Sequence, residues 1–120
     1  MQTVDREIVR KEFIEQTGCP LAKMRLPDRD YPLPTVREIR DLLDEFDAGP
    51  YVPEHNDCDN KAAKFMVYCS DNGHHVAWIS IGPHDMNAFV ERETMKIWYV
   101  EPSQGLIFPV TEPVNWMVIP

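Results

Sequence analysis

Apolar residues recur at three- and four-residue steps over residues 4–17, where Val4, Ile8, Val9, Phe13 and Ile14 are interleaved with Asp, Glu, Lys and Arg. That spacing predicts an amphipathic helix. Gly18-Cys19-Pro20 ends it, because Gly suits a helix C-terminal cap and Pro cannot continue the helix. Residues 19–34 show little periodicity and read as a proline-rich surface connection. Thr35, with Glu38 three positions on, forms the sequence signature of a capping box. It opens a second helix through Ile39, Leu42, Leu43 and Phe46, closed by Gly49-Pro50. A short loop over residues 51–57 leads to a third helix from Cys58 to about Cys69, with Ala62, Ala63, Phe65, Met66 and Tyr68 as its apolar face. Ser70-Asp71-Asn72-Gly73 is a turn.

Beyond that turn the period changes to that of strands. Residues 75–81, 85–90, 96–100, 106–110 and 115–119 are rich in β-branched and aromatic side chains, separated by Gly, Pro or charged clusters. Helices first and strands after predict an α+β fold: N-terminal helices packed on a mostly antiparallel sheet of about five strands. The 120 residues make one domain over residues 1–120. Residues 1–50 form its helical part, and residues 51–120 supply a helix plus the sheet.

Charge narrows the function classes. Lys and Arg number 12 against 20 Asp and Glu, a formal net charge of −8, which argues against a nucleic-acid partner because phosphate contacts need clustered cations. No apolar run approaches the ~18 residues of a membrane helix, so no membrane partner is expected. The charged start at Met1-Gln2-Thr3-Val4-Asp5 has no hydrophobic stretch behind it and does not read as a secretory signal. Three cysteines, Cys19, Cys58 and Cys69, are too few for a disulfide scaffold and read as thiols in a reducing, cytoplasmic compartment.

Three segments carry candidate chemistry. Asp57-Cys58-Asp59 begins the third helix, where the positive end of the helix dipole favours thiolate over thiol. A nucleophilic Cys needs a His to take its proton, and that His needs a third group to fix its tautomer. His84 opens the strand His84-Asp85-Met86-Asn87-Ala88-Phe89-Val90, and Glu101 closes Ile97-Trp98-Tyr99-Val100-Glu101-Pro102. A hairpin centred between residues 92 and 93 sets His84 opposite Glu101. A centre between 93 and 94 sets Met86 opposite Glu101, with His84 its diagonal neighbour on the same face. A slip of one residue puts imidazole and carboxylate on opposite faces. His74 and His75 are alternative bases, and the charges of Asp57 and Asp59 work against the thiolate. Cys69, about 16 Å along the helix, reads as core. Trp78, Phe89, Trp98 and Tyr99 read as sheet core.

The order of a D-C-D helix start, a strand H-x-M-N-A-F-V and a strand ending W-Y-V-E-P resembles the papain-like and transglutaminase-like cysteine peptidases. It is most similar to the small group that includes the C-terminal protease domain of a mushroom agglutinin. The resemblance covers roughly residues 51–105. It implies a papain-like core with Cys58 as nucleophile, His84 as its base and Glu101 as the carboxylate that orients the ring. Ser103 departs from the family pattern, which has Gln directly after the Pro. Asn56, His55 and the Cys58 backbone N–H are candidate oxyanion donors, and Tyr51 and Gln104 candidate substrate contacts.

The expected activity is that of a cysteine hydrolase or acyl transferase, without a cofactor, acting on a peptide or protein substrate through a thioester. A second reading is a catalytically silent binding or structural module of the same fold. A third is metal binding through His55, Asp57, Cys58, Asp59, His74, His75 and His84, whose spacing matches no recurring zinc or calcium pattern.

Overall fold

The computed structural model describes residues 3–120; Met1 and Gln2, where the chain's charged start was read, lie outside the described residues. In chain order the elements are β1 (Val4–Asp5), α1 (Arg6–Thr17), a 3-10 turn (Leu21–Lys23), β2 (Met24–Arg25), β3 (Asp30–Tyr31), α2 (Val36–Glu45), α3 (Cys58–Asp71), β4 (Ala77–Ile81), β5 (His84–Val90), β6 (Ile97–Glu101), β7 (Leu106–Pro109) and β8 (Trp116–Val118). The fold is α+β, with a six-stranded sheet ordered β2-β8-β4-β5-β6-β7 and a separate pair β1-β3. Every pairing in the large sheet is antiparallel except β2 with β8.

Local signals set most boundaries. Gly18 takes φ +69° and donates its N–H to the Ile14 carbonyl at 3.0 Å, ending α1 in the left-handed cap that Gly tolerates best. The Thr35 hydroxyl accepts from the Glu38 N–H at 3.1 Å, and the Glu38 carboxylate accepts from the Thr35 N–H at 2.9 Å. This is the capping box read from sequence, and it starts α2. Gly82-Pro83 closes the β4–β5 hairpin, with Ile81 paired to His84 and Gly82 at φ +56°.

The structure departs from the sequence reading in several places. Val4 and Asp5 are extended: the Asp5 carboxylate caps α1 by accepting from the Glu7 N–H at 2.7 Å, which leaves the residues before the cap free to pair with Asp30 and Tyr31. The connection over residues 19–34 contains Met24-Arg25 as an edge strand, giving six strands where about five were expected. β4 begins at Ala77 rather than at residue 75. In α1 the buried stripe is Val9, Phe13 and Thr17, while Ile8 and Ile14 face outward. In α3 it is Lys61, Ala62, Phe65 and Cys69, so Ala63, Met66 and Tyr68 are only half-buried.

Two apolar cores use the two faces of the sheet, following the alternation of side chains along each strand. Val9 and Phe13 of α1 pack with Ile79, Ala88, Ile97, Tyr99 and Met117. Ile39 and Leu43 of α2 and Phe65 and Cys69 of α3 pack with Phe89 and Val100. Each fully buried Phe or Ile here contributes roughly 1.5–3 kcal/mol relative to exposure. The fully buried Asn87 bolts the second layer to the sheet, its Nδ2 donating to the Ala62 carbonyl of α3 at 2.9 Å and the Ala77 carbonyl of β4 at 3.1 Å.

Candidate functional site

Cys58 is the first residue of α3, and the loop before it is built around Asn56. The Asn56 amide donates to the carbonyls of Ala48 at 2.7 Å and Pro50 at 2.6 Å, and its Oδ1 accepts from Lys64 Nζ at 2.8 Å. The Val52 carbonyl accepts from the N–H groups of His55 at 3.1 Å and Asn56 at 2.7 Å. The chain is thereby folded back sharply enough to deliver Asp57 as the helix cap. Asn60 completes that start, its Oδ1 accepting from the Asp57 N–H at 3.3 Å.

The register of β5 against β6 pairs Asn87 with Val100 and Val90 with Ile97. The hairpin is therefore centred between residues 93 and 94, and continuation of that ladder sets Met86 opposite Glu101. His84, Met86 and Glu101 consequently share a face. Glu101 is paired to Leu106 of β7, which extends that face across a third strand.

These elements enclose a cleft of about 410 Å³ lined by Cys58 and Lys61 of α3, Tyr51 of the preceding loop, His84 and Met86 of β5, Glu101 of β6, Ser103 and Gln104 of the following turn, and Leu106 and Phe108 of β7. Cys58, His84 and Glu101 meet here, as do Tyr51 and Gln104. Cys58 is half-buried, whereas Cys19 and Cys69 are buried; all three are free thiols. Met86 and Phe108 give the cleft an apolar wall continuous with the core.

Other residues singled out from sequence lie elsewhere or are already engaged. The Asn56 Nδ2 is spent on two loop carbonyls and its Oδ1 on Lys64 of α3, so its side chain has no donor left for an oxyanion. His55 is exposed and outside the cleft lining. His74 lies 3.6 Å from Glu38, and His75 Nδ1 is 3.0 Å from the Pro120 carbonyl with its ring edge-on to Tyr31. Both belong to the turn after α3, at the opposite end of that helix from Cys58. Among the described residues, no three His, Cys, Asp or Glu side chains gather as metal ligands. Of the expected sheet-core aromatics, Phe89 and Tyr99 are fully buried, whereas Trp78 and Trp98 are half-buried, Trp78 donating to Asp85 at 2.9 Å.

Lys61 escaped the sequence reading, whereas Ser103, noted there as a departure from the family pattern, takes a place in the cleft lining. Lys61 is only 7% exposed and sits one helical turn after Cys58; the i, i+3 spacing was the available signal. Ser103 donates both its backbone N–H, at 3.0 Å, and its hydroxyl to Glu101 Oε1. Among the described residues, none of Cys58, His84 and Glu101 is hydrogen-bonded to another.

The two acids beside the thiol act on each other: interaction with the neighbouring carboxyl lowers the pKa of Asp57 and raises that of Asp59. Asp57 keeps its charge at the helix N-terminus, where the dipole favours it. The cleft thus gathers a thiol, an imidazole, a carboxylate and one ammonium group beside apolar side chains.

No protein-family model matches the chain, and neither does any curated protein. A solved structure described as "PSL1a-E64 complex" is similar in fold, with a TM-score of 0.80 at 20% sequence identity, over 97% of this chain and 50% of that one. The chain spans about half the length of that solved chain.

Proposed function

We propose that the cleft is the active site of a cysteine hydrolase of papain-like fold, acting on amide or peptide bonds through a thioester. The observation that carries the reading is the convergence of the half-buried thiol, an imidazole and a carboxylate, from residues 58, 84 and 101, on one cleft at a helix N-terminus. Fold similarity to a chain solved with E64, a cysteine protease inhibitor, supports it.

In this mechanism the Cys58 thiol gives its proton to His84, and the sulfur attacks the substrate carbonyl carbon. The backbone N–H of Cys58, one of the first-turn donors without a helical acceptor, and the side-chain amide of Gln104 serve in this reading as donors to the oxyanion. Collapse of the tetrahedral intermediate breaks the C–N bond, the departing amine takes the proton from His84, and a thioester remains. Water then attacks the thioester as His84 takes its proton, releasing the acid and restoring the thiol. Glu101 orients the ring, which requires its carboxylate to turn from Ser103 towards His84.

One observation favours the second reading, a silent module: Glu101 is already satisfied by Ser103. Alkylation by iodoacetamide at mildly acidic pH separates the two. An activated Cys58 labels faster than a free thiol, and His84→Ala suppresses the excess. Labelling at the rate of a free thiol, unchanged by His84→Ala, refutes the hydrolase.

A further inference from the structure

We infer that Lys61 is the substrate-selecting residue of the cleft, and that the group it takes is a carboxylate close to the bond under attack, which makes the substrate an acidic peptide. The inference rests on the hydrolase reading above and adds to it the charge of the substrate.

Lys61 is an uncommon lysine. It is 93% buried by the 7% exposure it retains, and side chains of this kind are almost never so buried unless paired. Its Nζ stands over the ring of the exposed Tyr51, 5.7 Å from the centroid, a longer cation-π contact than that of Lys96. Lys61 lines the cleft together with Cys58, His84 and Glu101. Among the described residues no carboxylate lies within 4.0 Å of it. Of the other lysines, Lys64 is held by Asn56 at 2.8 Å, Lys11 by Glu15 at 3.9 Å and Lys96 by the face of Trp98 at 4.3 Å, while Lys23 is exposed on the surface.

In a chain with 20 acids to 12 bases, a mostly buried lysine that has no acid partner and lines the thiol's cleft is an open anion site. The arriving group must carry the opposite charge and fit a cleft that also holds the Glu101 carboxylate and the apolar Met86, Leu106 and Phe108. A short acidic side chain or a terminal carboxylate on a peptide meets both conditions. A lysine presents a point charge on a flexible stem, so it selects charge rather than one carboxylate geometry.

Two alkylating reagents of nearly equal size test the charge without requiring turnover. Iodoacetate is anionic and iodoacetamide neutral, and Cys58 is the thiol within their reach. The ratio of the two rates, measured by mass spectrometry on the whole chain, should fall about fivefold in Lys61→Met, the size of a partly screened charge pair, and remain near the parent value in Lys61→Arg. An unchanged ratio in Lys61→Met overturns the inference.

The substrate class is tested by protection. An acidic peptide should shield Cys58 from iodoacetamide at lower concentration than its amide isostere, with Asn or Gln in place of Asp or Glu, and Lys61→Met should abolish the difference. Equal protection by both peptides, or protection by neither, overturns it. These readouts are ratios, so they stand apart from the absolute rate and its His84 dependence, on which the hydrolase reading depends.

Discussion

Asn87 gives the most exacting test of how the site is held. Its Nδ2 bonds the carbonyls of Ala62 at 2.9 Å and Ala77 at 3.1 Å, while its Oδ1 is buried without a partner. Ala62 lies one turn after Cys58, and Asn87 stands three residues after His84, so this amide fixes the helix that carries the thiol against the strand that carries the imidazole. In Asn87→Leu both bonds go, at about 1 kcal/mol each, and removing the orphaned oxygen returns about 1 kcal/mol, for a net loss of about 1 kcal/mol. In Asn87→Asp the same bonds go, and a carboxyl group then faces two carbonyls in the interior. The added desolvation, about 1–3 kcal/mol for the unpaired group, brings the loss to about 3–5 kcal/mol.

Urea unfolding followed by Trp fluorescence reads the difference, since Trp78 is paired directly with Asn87 in the sheet. With a slope of about 1–3 kcal/mol/M, the two midpoints should separate by about 1 M or more. Equal midpoints for the Leu and Asp variants would refute the claim that this site penalises a buried polar group unable to donate to the two carbonyls.

Other outcomes follow from the same geometry. In native protein at pH 8 a thiol-titrating disulfide should react rapidly with one equivalent, Cys58, because burial pushes the Cys19 thiol up to about 11 and Cys69 up to about 12; two rapid equivalents would contradict this. Thr35→Ala should lower stability by about 1 kcal/mol through loss of the α2 cap, as read by thermal unfolding. Glu38 bears on stability at low pH. Desolvation pushes its pKa upward, but hydrogen bonds from Thr35 and the charges of His74 and Arg92 outweigh this and hold it below the usual value. A lowered folded pKa contributes stability above the unfolded value, about 4.3, and loses it as pH falls through the folded one. The deficit of Glu38→Gln relative to the parent should therefore be widest near neutrality and close at acid pH; a deficit independent of pH would count against it.

The candidate site was legible in the parts that depend on short-range chemistry. Cys58 at a helix start follows from the turn before it and the apolar spacing after it. His84 and Glu101 on one face follow from the two-residue period of strands, whichever even-numbered shift of the hairpin is adopted. Which shift occurs was not legible, because it depends on Glu91: its N–H pairs with the Lys96 carbonyl at 2.9 Å, and its buried carboxylate accepts from the N–H groups of Glu93 at 2.5 Å and Thr94 at 3.2 Å. Asn56 looked like an oxyanion donor because an amide beside a nucleophile has the right chemistry; the loop carbonyls that use it lie six and eight residues away, in a segment without periodicity.

Amino-acid order alone determined the three helices, most of the strands and the parity that brings imidazole and carboxylate to the same side. Caps, turns and side-chain alternation act between residues a few positions apart, and their energies are already present in the local chain. Packing decided the rest: the parallel edge strand made by Met24 and Arg25 with β8, and the burial of Lys61 beside the thiol's cleft. Each of these depends on surfaces assembled from segments far apart in sequence, where shape and desolvation choose among partners that local pattern leaves equal.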